Sequence, residues 1–317
     1  MSRIAIILGC IALAVLPLLG ASGYQLFQLT LVVTYAVAIL GLNLVTGYNG
    51  QVSLGHGAFY AVGAYTTAIL MDKFAVPYWA TLPVAAVICA VFGFLIGLPA
   101  LRLGGLYLAL TTFALSVAVP QLLKYKLFDD YTGGVQGIVI DKPDAPFGLA
   151  LNSDQWVYLF TLAVGIVCFV LIANLVKGRI GRAMIAIRDQ PLAAEAMGID
   201  IAMLKTYTFA VSAMITGIAG SLGAVAVQFV APDAFGAPLS LTFFVGFVVG
   251  GGASIVGPIF GAIFVEFIPN IADQISKAAP GAVYGVLLIA LMFVAPGGCA
   301  SIVRKLSARM PWNRKTT

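Results

Sequence analysis

Charge is what this 317-residue chain has least of. Only 9% of its residues are Asp, Glu, Lys or Arg, against about 25% in a soluble domain, while 61% are hydrophobic and the mean hydropathy is +1.05. A water-soluble globule is excluded, and a polytopic membrane protein remains. Cysteine is equally sparse: Cys10, Cys89, Cys168 and Cys299 stand singly in or beside different apolar runs, without the close spacings of zinc sites or disulfide frameworks. They read as packing residues, and neither metal nor cofactor is expected. No G-x-x-x-x-G-K-[ST] phosphate loop occurs, so ATP binding by that motif is excluded. A net charge of +5 and a pI near 9.0 would suit nucleic acid. The basic residues instead gather in short loops beside apolar runs and near the C-terminus, so membrane topology explains them and no nucleic-acid partner is expected.

What is abundant is apolar sequence in lengths that fit a bilayer. A hydrocarbon core of about 30 Å takes about 20 residues of helix. Apolar runs fall at 4 to 20, 24 to 46, 54 to 71, 78 to 98, 104 to 123, 155 to 176, 206 to 228, 240 to 268 and 282 to 298. Lipid demands internally paired backbones, so each reads as helix and the fold class is all-α, a single transmembrane domain over 1–317. Arg3, the apolar stretch Ile4 to Leu19 and the small residues to Gly23 resemble a signal peptide. Because more spans follow at once, a retained first helix is the preferred reading.

Charge assigns the sides. The loop of about 124–154 carries Asp129, Asp130, Asp141, Asp144 and Asp154 and fits the outer face; the stretch of about 177–205, with Lys177, Arg179, Arg182, Arg188 and Lys205, fits the cytoplasm. An unbroken helix over 240 to 268 would run about 43 Å and would leave the basic tail, Arg304 to Lys315, outside. A break near Gly250-Gly251-Gly252-Ala253-Ser254 removes both conflicts, giving about ten membrane segments with both termini cytoplasmic. A similar interruption stands at Gly47 to Ala64, where Gly50-x-x-Ser53 overlays Gly251-x-x-Ser254. Paired breaks point to an inverted repeat; chance matches in a chain with 35 glycines are the competing explanation. Within 206 to 228, Ser212, Thr216, Gly220 and Ala224 make a ridge of small residues for close helix packing.

The 177–205 island has punctuation of its own. Asp189 or Gln190 stands at an N-cap, Pro191 in a first turn and Gly198 at a left-handed terminus, which predicts a short helix from Pro191 to Met197; Asp200 would cap the next. Leu192, Ala196 and Met197 would offer a partner an apolar contact, and Arg188 and Glu195 polar register. Among polar residues within the apolar runs, His56 is open between two readings: with Asn49, Gln51 and Ser53 it lines or gates a pathway, or it bonds backbone in a glycine-rich bend. Glu266 reaches the interface or faces a path, and Asn43 and Asn270 read as interhelical glue. Gly20-Ala-Ser-Gly23 matches the G-x-S-G of intramembrane serine proteases, with His56 as the imagined base, but four residues in a glycine-rich chain carry little weight.

RAMIAIRDQPLAAEAMGID, with Asn43 to Ala64 carrying GQVSLGHGAF, resembles the permease subunits of bacterial branched-chain amino acid ABC importers. The likeness continues through Ser212 to Val230, GGGASIVGPIFGA and LMFVAPGG, and so covers nearly all of the chain. It implies a permease of the inner membrane, paired with a second homologous permease, two cytoplasmic ATP-binding subunits and a periplasmic substrate-binding protein. ATPase coupling would fall to Arg182, Arg188, Asp189, Pro191, Glu195, Met197 and Gly198, and the translocation path to Asn49, Gln51, Ser53 and His56. Glu195 sits three residues before Gly198, unlike the E-A-A-x-x-x-G of many other ABC permeases. A urea or short-amide permease of the same family, an ion-coupled secondary transporter and a membrane enzyme are the competing functions.

Overall fold

The computed structural model describes residues 17, 20–100, 105–146, 151–275, 277 and 279–301. The expected first helix, Cys10 and the basic tail lie outside those residues, apart from positions 17 and 20. The described chain is nearly all helix, as the apolar runs require. Helix α1, Gly23–Leu42, continues into a wider π turn, Asn43–Tyr48. It is followed by α2, His56–Phe74; α3, Tyr78–Ala100; and α4, Leu106–Leu123. After a short α5, Asp129–Thr132, come α6, Ser153–Lys177; α7, Arg179–Asp189; α8, Pro191–Ala196; and α9, Ile201–Val227. The last three are α10, Ala237–Gly250; α11, Gly257–Ile275; and α12, Pro280–Val294. The break expected near Gly250 is present, between α10 and α11.

Six helical stretches among the described residues are long and apolar enough to cross a bilayer: Gly23–Tyr48, Tyr78–Pro99, Leu106–Leu123, Ser153–Lys177, Ile201–Val227 and Pro232–Gly250. Helix α2, rich in Gly, Ala, Thr and Tyr, and α11 fall outside that set, and α12 is a shorter apolar helix.

Local chemistry fixes several helix starts. Ser22 and Gln25 form a capping box at α1: the Ser22 N–H donates to Gln25 Oε1 at 2.9 Å and the Gln25 N–H to Ser22 Oγ at 3.4 Å. The Asp200 carboxylate accepts from the Met203 N–H at 2.9 Å, capping α9 as its position predicts.

Helix α9 is the hub, and its small-residue ridge is the reason. A Cβ added at Gly41 of α1 would come within 2.8 Å of the Ser212 carbonyl, and one at Gly220 would land on the Tyr60 carbonyl of α2. One at Gly217 would meet the Cys89 side chain of α3, and one at Gly63 would overlap the Gly217 backbone. Without a hydrophobic force between helices in lipid, such close backbone approach is what holds a bundle. Gly63→Ala is therefore expected to cost about 1–3 kcal/mol, because backbone meets backbone and no side chain can yield. Gly97→Ala, whose Cβ would sit 3.3 Å from Thr206 Cγ2, should stay within about 1 kcal/mol of the parent. Thermal unfolding in detergent, read by a thiol dye that reaches buried Cys89 and Cys168 only on unfolding, checks the pair.

The two ends of α9 differ in chemistry. At its C-terminal end, β1, Ile138–Val139, pairs antiparallel with β2, Phe229–Val230, in the register Ile138↔Val230. Lys124 forms an ion pair with Asp233 across the same two loops. At its N-terminal end lie α7, α8 and the basic island. The acidic loop and the basic island thus occupy opposite ends of the bundle.

Candidate functional site

Helix α7 is amphipathic: Gly181, Met184 and Ile187 are buried against the bundle, while Arg179 and Arg182 lie on the outer side. Gln190 stands at the N-cap of α8 without a side-chain cap bond, and Pro191 opens the helix with its preset φ. Gly198 at φ +82° ends the turn, where an L side chain would be strained. Leu192 and Met197 are 81% and 84% exposed, and Glu195 is exposed beside them. An open hollow of about 430 Å³ separates α8 from the start of α9, lined by Glu195, Gly198, Asp200 and Lys205 among others. The predicted short helix is therefore present and presents its apolar side chains outward.

Arg188 departs from expectation by turning inward. Its Nη1 donates to the Gly47 carbonyl at 2.9 Å, its Nε reaches Asp189 Oδ1 at 2.9 Å, and its stem lies over Gly50. Gly50 has φ +73°, and a Cβ there would come within 2.7 Å of the Arg188 Cγ. Arg182 remains exposed and donates to the Lys177 carbonyl at 3.3 Å.

The polar side chains of the broken segment in the first half are enclosed, while Gly50 and Val52 are exposed. Asn49, Gln51, Ser53 and His56 are all buried, and Gln51 Nε2 donates to the Lys205 carbonyl at 3.3 Å. His56 bonds two side chains, not backbone: Nε2 lies 2.7 Å from Ser212 Oγ and Nδ1 lies 3.1 Å from Ser53 Oγ. Ser212 has one hydroxyl proton, and its 2.6 Å contact with the Gly41 carbonyl uses it, since a carbonyl cannot donate. Ser212 Oγ must then accept from His56 Nε2–H. In the neutral ring Nδ1 accepts from the Ser53 hydroxyl, so one ordered chain runs from Ser53 through His56 and Ser212 to Gly41 and ties α2 to α9 and α1.

Helix α2 consequently begins at the depth of Ser212, about 10 Å above the level of Lys205 by helix rise. Residues 50–55 span that interval as non-helical chain.

The second break meets the first. Asn43 Nδ2 donates to the Ser254 carbonyl at 2.8 Å, and Asn43 Oδ1 accepts from the Ala253 N–H at 2.8 Å. The turn after α12 closes the group: a Cβ at Gly251, φ +96°, would come within 2.7 Å of the Gly297 carbonyl. Asn43 is thus interhelical glue, as its position suggested. Asn270 is not, because it donates to the Glu266 carbonyl of its own helix at 3.0 Å. Ser22 is a cap, and both nitrogens of His56 are engaged by Ser53 and Ser212, so Ser22 and His56 do not pair. Among the described residues no cluster of three or more His, Cys, Asp or Glu is placed to hold a metal ion.

Two helices broken inside a multi-pass bundle, meeting beside an exposed surface helix, are the architecture of a membrane permease. The chain belongs to the family described as branched-chain amino acid transport system / permease component, whose model matches residues 24–296. It is 32% identical over 299 residues to the high-affinity branched-chain amino acid transport system permease protein LivM of Escherichia coli, covering 87% of this chain and 69% of that protein. It is 25% identical over 313 residues to the probable branched-chain amino acid transport permease protein LivM of Methanocaldococcus jannaschii, and 24% identical over 286 residues to the probable LivH of the same organism; these cover 83% and 86% of this chain and 89% and 90% of the relatives. No solved structure matches.

Proposed function

We propose that the chain is the permease subunit of an ATP-driven importer of branched-chain or related neutral amino acids in the cytoplasmic membrane. The observation that carries this reading is α8, a short helix opened by Pro191 and followed by a turn that Gly198 ends, with bare Leu192 and Met197, set at the basic end of a bundle whose family is that of branched-chain amino acid permeases. By the positive-inside rule that end is cytoplasmic and the acidic loop is external. Nine helices (α1–α4, α6 and α9–α12) run between the ends, and an apolar first segment at 4 to 20 would bring the total to about ten with both termini inside. The likeness of Gly50-x-x-Ser53 to Gly251-x-x-Ser254 supports an inverted repeat, and Asn43, in the turn that precedes the first of them, bonds the second.

Partners follow from the division of labour. A second homologous permease completes the path, two ATP-binding subunits engage α8 and the hollow behind it, and a periplasmic binding protein meets the external loops. Coupling falls to Arg182, Arg188, Asp189, Pro191, Glu195, Met197 and Gly198. Asn49, Gln51, Ser53 and His56 form the pathway segment, which is shut in this conformation. The assembled complex in proteoliposomes should take up valine or leucine only with ATP and binding protein present. Uptake by the chain alone on an ion gradient would overturn the reading, and competition by urea but not by amino acids would move it to the short-amide substrates.

A further inference from the structure

The structure brings three sequence-distant pieces to one point at the basic end of the bundle. The π turn 43–48 is joined to the 251–254 break by two hydrogen bonds and close glycine packing, and to Arg188 of the island by a third. The parts have separate duties. Arg188 holds the turn from the island side, its stem across Gly50 and its guanidinium on the Gly47 carbonyl, a grip 141 residues apart in sequence. Asn43, on the same turn, uses both ends of its amide on the backbone of Ala253 and Ser254.

We propose that Arg188 and Asn43 form a latch by which the island controls whether the two glycine breaks stay together. Resting on the permease reading above, this assigns Arg188 as a positioning residue that acts through Gly47, rather than as a docking contact for the ATPase. When α7 and α8 move with a bound motor, Arg188 carries the 47–50 turn with them. Asn43 rides on that turn and leaves Ala253 and Ser254, and the seam opens at the cytoplasmic end.

Three features fit a joint with two arrangements. The seam is rich in glycines: Gly298 packs on the Gly251 backbone and Gly252 faces Gly47, so the Asn43 amide is the side chain that has to let go when the backbones part. π turns recur where helices serve function. The Asn49 amide, 1% exposed, has no hydrogen-bond partner at either its nitrogen or its oxygen among the described residues. A buried amide without partners costs free energy, so the closed segment has an alternative arrangement to gain from.

The test uses the full chain assembled with its ATPase subunits and binding protein in proteoliposomes, reading solute moved per ATP hydrolysed. Arg188→Gln should still co-purify with the ATPase subunits and support hydrolysis, while transport per ATP falls at least tenfold. Arg188→Lys, which keeps a donor for one carbonyl, should recover part of the loss. Asn43→Leu, similar in volume but without the bridge, should let solute leak without ATP at least tenfold faster than the parent. Spin labels at Val52→Cys and Val256→Cys, both exposed beside the breaks, give an independent readout: they should separate on ATP binding in the parent and not in Arg188→Gln. The label result decides if Asn43→Leu does not fold. Transport per ATP within twofold of the parent in Arg188→Gln, loss of the ATPase subunits from that variant, or labels that move equally in both would overturn the latch. A parent complex with no ATP-driven uptake would instead sink the permease reading.

Discussion

Replacing Leu192 and Met197 together by aspartate should reduce ATP-dependent uptake at least a hundredfold while leaving the isolated chain as stable as before. Both side chains stand more than four-fifths exposed on α8 and cover nothing in their own bundle. Their removal therefore costs the fold little. Burying a Leu or Met against a partner is worth about 1.5–3 kcal/mol, so losing both removes about 3–6 kcal/mol of binding. At about 1.4 kcal/mol per tenfold, that is roughly a 10²- to 10⁴-fold weaker complex. Co-purification of the ATPase subunits and an unchanged melting profile are the two measurements. Retained uptake with both aspartates present would mean that α8 is not where force enters.

His56→Leu should destabilise the folded chain by about 2–5 kcal/mol. Leucine fills much of the same space, so the loss is mainly polar: the Ser53 hydroxyl forfeits its acceptor and the Ser212 oxygen its donor, both where no water replaces them. Each buried group left unpaired costs about 1–3 kcal/mol. Ser212→Ala should cost a similar amount, because it too takes a partner from two buried groups, His56 Nε2–H and the Gly41 carbonyl. The dye-monitored melt measures both variants. In the parent, ring nitrogen NMR should show the proton on Nε2; a proton on Nδ1 would reverse the assigned chain.

Much of this architecture was legible in the residues because lipid simplifies the code. Apolar length and charge placement predicted the helices, the excess length of 240 to 268 predicted the break at Gly250, and Pro191, Gly198 and Asp200 marked the island's turns. The pairings were not legible. Ser212 looks like one more small residue of a packing ridge, and its second duty to His56 lies 156 residues away, across a helix rotation that one sequence does not encode. The sequence offers Arg188, with Glu195, as polar register for a docking partner. Only the left-handed turn at Gly50, which clears space for the Arg188 stem, reveals that this side chain turns inward. The two-residue strands Ile138–Val139 and Phe229–Val230 are too short to show any alternation.

The central place of α9 also dictates when the molecule can be finished during synthesis. Its side chains complete bonds to residues that leave the ribosome far earlier: His56 awaits Ser212, 156 residues downstream, and Thr67 awaits Ser221, 154 downstream. At about 5–20 residues per second, those polar groups spend about 8 to 30 s in or beside the bilayer before their partners emerge. Helices α1 to α3 must therefore be sheltered, by the insertion machinery or by one another, until α9 arrives.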